Sequence, residues 1–140
     1  MSFREKIHWV AFVALLLAFG WYFISYPWPI MDTQEGVGAV AAMLFPVTVF
    51  IIGLMSILTA AVAIRSPKEA NLKEDERERI IHLKGTHMAY YPLVLGVWGN
   101  LFAIFYHISA AGRLNLLIAT VVLAELVRVG GQLYYYRRGY

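Results

Sequence analysis

The sequence predicts an all-α membrane protein: a four-transmembrane-helix bundle with both termini cytoplasmic and a short cytoplasmic amphipathic helix between the second and third spans. Three observations lead there. Hydrophobic residues make up 60% of the chain and charged residues 15%, against roughly 45–50% and 25% in a soluble domain. Four apolar runs approach or exceed the roughly 20 residues a helix needs to cross ~30 Å of hydrocarbon. Lys and Arg gather at the ends of those runs, strongly biased to one side. The 140 residues read as one integral membrane domain.

The first run, residues 7–26 (IHWVAFVALLLAFGWYFISY), follows Arg4 and Lys6 as a signal peptide would. It is longer than the apolar part of a signal peptide and ends in bulky aromatics where cleavage needs small residues, so it is expected to stay as an anchor. The second run covers residues 37–64 and contains Pro46; the third covers 88–106 and the fourth 114–136. Their unbroken apolarity differs from the alternation of a transmembrane β-barrel, whose strands are ~10 residues long. The links PWPIMDTQEG and HISAAGR are short, making the helices that each one joins antiparallel neighbours.

Charge sets the orientation. Arg4, Lys6, Arg65, Lys68, Lys73, Arg77, Arg79, Lys84, Arg137 and Arg138 all flank one side of a four-span arrangement, and Arg113 alone flanks the other. Cytoplasmic flanks carry the excess of Lys and Arg, so both termini and the central loop are expected inside. Trp21, Tyr22, Tyr26 and Trp28 near the outer boundary, with Tyr90, Tyr91 and Tyr134 to Tyr136 near the inner one, suit interfacial belts. The net charge of +3 comes from basic residues at the ends of the runs and not from one patch, so no direct nucleic-acid partner is expected.

The chain has no cysteine, which removes disulfides, thiolate catalysis, iron–sulfur clusters and Cys-based zinc sites from consideration. No H-E-x-x-H, G-x-S-x-G, phosphate loop or paired catalytic carboxylates occur. The expectation is a protein that is not an enzyme and carries no cofactor or metal.

The sizeable polar stretch is RSPKEANLKEDERERIIHLKG, residues 65–85. Ser66, Pro67 and Glu69 have the spacing of a capping box with a first-turn proline, predicting a helix over about 67–84. Glu69 with Lys73 and Asp75 with Arg79 are i, i+4 pairs, Leu72, Ile80 and Leu83 form a thin apolar stripe, and Gly85 marks a bend before the third span. Such a segment is either a solvated linker against the membrane surface or a docking site for a cytoplasmic protein through Asp75, Glu76, Arg77 and Arg79. The piece DERERIIHLKGTHMAYY, residues 75–91, resembles the D-E-R-x-x-x-I-x-x-K segment of small bacterial four-helix inner-membrane proteins of unknown function, often encoded beside helix-turn-helix regulators. The resemblance implies a bacterial inner membrane and a regulatory association, and brings no active site.

Within the fourth run, Ile118, Val121, Glu125, Arg128, Gln132 and Tyr135 share one helical face. A charge at the bilayer centre costs at least ~2.5–3.5 kcal/mol, so this face is expected to point into the bundle, with Glu125 and Arg128 pairing at i, i+3. On the third run Ala89, Gly96 and Ala103 recur every seven residues, allowing close helix packing, and Leu93, Asn100 and His107 share that face. Asn100 is expected within ~6 Å of the level of Glu125. The buried polar set of Glu125, Arg128, Gln132 and Asn100 is either an internal lock for the bundle or a homodimer, or a proton, ion or ligand site. Gly130 and Gly131 are a candidate hinge, although glycine is common in membrane helices. His8 and His87 both begin spans at the inner boundary and are a candidate pair of haem ligands; His82 lies in the charged linker and His107 at the outer end.

Three functions follow. The favoured one is a non-enzymatic membrane protein acting through protein contacts, as an accessory subunit or as the membrane partner of a cytoplasmic regulator. The alternative is a small dimeric four-helix transporter using a buried Glu, although the first span has no acid between Trp9 and Tyr26. The third is a haem or electron-transfer subunit. Membrane lipid is a partner in all three.

Overall fold

The computed structural model describes residues 3–65, 67–70 and 75–138, and every regular element in them is helical. The long helices are α1 (Phe3–Ser25), α2 (Gln34–Arg65), α4 (Glu76–Phe105) and α5 (Ala110–Arg138); α3 (Pro67–Ala70) is a single turn, and a short 3-10 turn covers Trp28–Ile30. All four long helices are long and apolar enough to cross a membrane. With 32, 30 and 29 residues, α2, α4 and α5 exceed the ~20 that the hydrocarbon requires, so each projects by several residues.

The ends of the helices follow from local chemistry. Pro27 disfavours helical backbone at Tyr26, and the link turns back through Ile30 N–H to Pro27 O (3.1 Å) and Thr33 Oγ1 to Ile30 O (2.7 Å). His107 adopts a left-handed φ of 55° after α4. Ser109 then accepts from Gly112 N–H at 3.1 Å as the cap of α5, while its own hydroxyl donates to Met31 O at 3.0 Å and so ties the two links together.

One element differs from expectation. The capping box in use is Asp75 with Glu78: Glu76 N–H donates to Asp75 Oδ1 at 2.8 Å, and Asp75 N–H to Glu78 Oε2 at 3.3 Å. From that cap α4 runs without a break through Gly85 and Pro92 to Phe105, so the bend at Gly85 does not occur and the charged helix and third span are one element. Gly85 serves a different purpose, because a Cβ there would lie 2.5 Å from Gln132 Cγ and 2.9 Å from Arg128 O. The expected helix start at Ser66, and the partners Leu72 and Lys73, fall outside the described residues.

α5 is the central helix. It packs along α4 on one side and against α1 and α2 on the other, and α1 packs on α2. The buried residues Ala14, Ala18 and Tyr22 of α1, and Tyr26 just past its end, recur every four positions, and the last three meet Val40 and Val47 of α2 and Ala111 of α5. The buried residues of α2 (Gly36, Val40, Val47) all lie in its first half; further along, α1 and α2 border an open apolar groove of about 450 Å³ lined by Leu17, Trp21, Phe50 and Leu54 among others. On α4, Ala89, Gly96 and Ala103 face α5, with Ala89 and Ala103 buried. A Cβ on Gly96 would sit 2.7 Å from Thr120 Cβ. Gly130 and Gly131 lie inside an unbroken α5: a Cβ on Gly131 would be 3.1 Å from Met88 Sδ, and one on Gly130 3.4 Å from Phe12 Cε2. They permit close packing, and the helix is unbroken at both.

Replacing Gly96 with Ala should force α4 away from α5 and destabilise the protein by about 1–3 kcal/mol. Gly99→Ala, where nothing lies within 4 Å of the added carbon, should leave the melting temperature in detergent unchanged.

Candidate functional site

Polar groups gather at three levels along the helices. At the end where the helix links lie, the fully buried Tyr22 donates to Asn115 Oδ1 at 2.8 Å, and Asn115 Nδ2 donates to Ala111 O at 3.1 Å. Tyr26 donates to Gly36 O at 3.0 Å, where a Cβ on Gly36 would meet Ile30 O at 2.7 Å. Sequence reasoning took both tyrosines for interfacial belt residues and passed over Asn115. The available signal was the four-residue spacing Ala14, Ala18, Tyr22, Tyr26, which puts the hydroxyls on the packing face of α1.

At the middle level Arg128 Nε and Nη2 donate to Glu125 Oε2 at 3.0 and 2.6 Å. The pair forms, but it does not face the interior: the Arg128 and Glu125 side chains are 39% and 41% exposed. They line an open groove of about 640 Å³ between α4 and α5, with Thr86, His87, Ala89, Tyr90 and Leu93 from α4 and Val121 and Ala124 from α5. The cause is the central position of α5. Thr120 and Gly131 are taken by α4, and Asn115 and Gly130 by α1, so the row through Val121, Glu125 and Arg128 runs along the seam and not beneath it.

Asn100 does not reach this pair. Its Nδ2 donates to Gly96 O on its own helix at 3.1 Å, and it borders a separate groove with Arg113 and Leu117. With Gly96 opposite Thr120 and Gly85 opposite Gln132, Asn100 is level with residue 116, roughly 13 Å along the helix from Glu125. Gln132 also leaves the expected set. It is 1% exposed and belongs to the third level, at the end that carries the chain termini.

There, Gln132 Nε2 donates to His82 Nδ1 at 3.2 Å, and the His82 and His8 rings lie 5.3 Å apart between centroids. Tyr136 packs on His8 at 5.5 Å. Ion pairs Arg4–Glu78 (3.0 Å) and Arg137–Glu5 (4.0 Å) join α1 to α4 and α5, and the Arg137 guanidinium lies 5.2 Å from the Trp9 ring centroid. The imidazole beside His8 is therefore that of His82, while His87 lies on another face against Tyr91 in the open groove. His82 was missed because the helix was expected to bend at Gly85; continued helix puts Ile81, Gly85 and Ala89 on one buried row with His82 beside it. Among the described residues no three His, Asp or Glu side chains converge as a metal ion would require.

Past this level Asp75, Glu76, Arg77 and Arg79 are all exposed. Arg79 pairs weakly with Glu76 at 3.9 Å, and Asp75, its expected partner, is the helix cap. No family model, curated protein or solved structure matches the chain.

Two outcomes follow. Glu125→Gln or Arg128→Gln alone leaves a lone charge in an apolar groove and should lower stability by at least about 1–3 kcal/mol, whereas the double substitution should recover most of it, read by thermal unfolding in detergent. Tyr22→Phe combined with Asn115→Ala in a double-mutant cycle should give a coupling between about 0.6 kcal/mol, the average for hydrogen bonds between membrane helices, and their maximum of about 1.7 kcal/mol.

Proposed function

We propose that this is a multi-pass protein of a bacterial inner membrane that acts by contact and not by catalysis, presenting the exposed surface of Asp75, Glu76, Arg77 and Arg79 to a cytoplasmic protein. In this reading both termini and the segment between α2 and α4 are cytoplasmic. The charge distribution supports that orientation: Arg4, Lys6, Arg65, Lys68, Arg77, Arg79, Arg137 and Arg138 belong to one end of the bundle, and Arg113 to the other.

The observation that carries the proposal is the continuity of α4. Its 30 residues extend about 45 Å, roughly 15 Å more than the hydrocarbon, so the charged surface is the projecting end of a membrane span and not a separate linker helix. Arg4–Glu78 fastens that projection to α1, and the contact of Gln132 with His82 fastens it to α5. A shift of α4 against α5 within the membrane then moves the projecting surface as one body, which is how a bundle with two packings would signal to a bound protein. The resemblance of residues 75–91 to inner-membrane proteins encoded beside helix-turn-helix regulators makes such a regulator the partner class to test first.

Replacing Glu76, Arg77 and Arg79 with alanine, with the Asp75 cap retained, should abolish recovery of the cytoplasmic partner in pull-downs from mild detergent while leaving membrane insertion and melting unchanged. An identical set of partners from the altered and unaltered proteins would refute the proposal.

A further inference from the structure

We infer that the groove between α4 and α5 is where a second copy of this chain docks, with Glu125 and Arg128 of each copy bridging to those of the other. The inference rests on the reading of the protein as one that acts by contact within a membrane, and adds a partner at a different surface from Asp75 to Arg79.

The ion pair is half satisfied. Both donors that Arg128 commits, Nε and Nη2, converge on Glu125 Oε2. Glu125 Oε1 and Arg128 Nη1 make no hydrogen bond among the described residues. The side chains are 41% and 39% exposed, on a groove whose other walls include Ala89, Leu93, Val121 and Ala124. In lipid no water is present to complete the bonding, and a charged group facing acyl chains is costly. Of the ion pair itself, one strong acceptor and one strong donor remain open, side by side, on a face that also carries Thr86, His87 and Tyr90.

Those two groups complement each other across a two-fold axis. Copies in one membrane with one orientation are related by rotation about its normal, which keeps each residue at the depth of its counterpart. Glu125 and Arg128 differ by three residues, about 4.5 Å of rise, within the reach of an arginine side chain. Nη1 of each copy can then meet Oε1 of the other, and two exposed pairs become one closed four-charge cluster. A face of a single sign would repel its own copy, whereas this one carries both signs and is neutral. The same neutrality makes it a poor seat for a lipid phosphate, which needs uncompensated positive charge. The groove is about 640 Å³, and Val121, 49% exposed beside Glu125, is at the level where the two copies would touch.

The absence of cysteine allows a direct test. Val121→Cys is introduced, with Ile57→Cys on α2, 69% exposed, as control, and native membranes are oxidised. Val121→Cys should yield a disulfide-linked product of twice the 15.9 kDa chain mass, and Ile57→Cys none. In the Val121→Cys background, copies carrying Glu125→Arg or Arg128→Glu should each lose the product at least tenfold when expressed alone. They should regain it when co-expressed, since opposite charges are then restored only between copies.

The inference is overturned if the charge-intact Val121→Cys protein gives no doubled product, if the product has another mass because a different protein fills the groove, or if Ile57→Cys crosslinks equally. It is also overturned if both charge variants reach the membrane at normal levels and co-expression restores nothing. Capture of the cytoplasmic partner through Glu76, Arg77 and Arg79 is measured separately, so loss of self-association with partner capture intact refutes the docking alone.

Discussion

Helices that meet in water are pressed together by the release of that water, but between helices surrounded by lipid the force is lost and close contact itself must supply the energy. In this protein the contact is made by α5. Its neighbours approach it at positions with little or no side chain: Gly96 against Thr120, Gly85 against Gln132, and Gly36 against Ala111. At Gly85 and Gly96 an added carbon would come within 3 Å of atoms of α5, so these residues set the depth and rotation at which helices can join. The polar contacts between helices then follow, because Tyr22 with Asn115 and His82 with Gln132 are groups that this packing brings together, whereas Glu125 and Arg128 pair within α5.

The same arrangement explains why a pair of charges ends on a seam. A helix with neighbours on two sides has two buried faces and two boundaries between them. On α5, Thr120 and Gly131 serve the α4 contact, while Ala111, Asn115 and Gly130 serve α1 and α2. Val121, Glu125 and Arg128 occupy the angular interval left over. Their mutual hydrogen bonds reduce the cost of that position without removing it, since the carboxylate engages the guanidinium through one oxygen. Stability of the monomer alone does not account for both charges; an apolar pair would pack along the same seam at lower cost.

Much of the architecture could be read from the sequence, because the properties that specify it are local. Apolar run length marks the four spans, and the seven-residue spacing of Ala89, Gly96 and Ala103 marks the face of α4 that meets α5. Periodicity states which residues share a face, but it does not state how far one helix slides along another. That is why Asn100 was expected beside Glu125 and is found about 13 Å away. The row through Glu125 does share one helical face, but such a face points inward only where a helix has one buried side; the central α5 has two. Gly85 shows a third limit. Glycine before a span reads as a bend, whereas here its missing side chain admits Gln132 and helix continues on both sides. His82 and the Asp75 cap became visible only once that continuity was known.

Continuity also bears on how the two ends of α4 depend on each other. A helix interrupted at Gly85 would let the charged segment swing independently, and events among the spans would not reach it. With the helix unbroken, its projecting turns are tied to α1 through Glu78 and Arg4 and to α5 through His82 and Gln132. Gln132 lies one helical turn beyond Arg128 on α5, and the carbonyl of Arg128 is one of the atoms that a side chain at Gly85 would strike. The charged pair on the seam, the glycine that lets α4 approach, and the histidine that anchors the projecting turns are thus successive contacts of a single helix pair. A change in how α4 sits on α5 at the level of Glu125 has a short, packed route to the exposed surface at Glu76, Arg77 and Arg79.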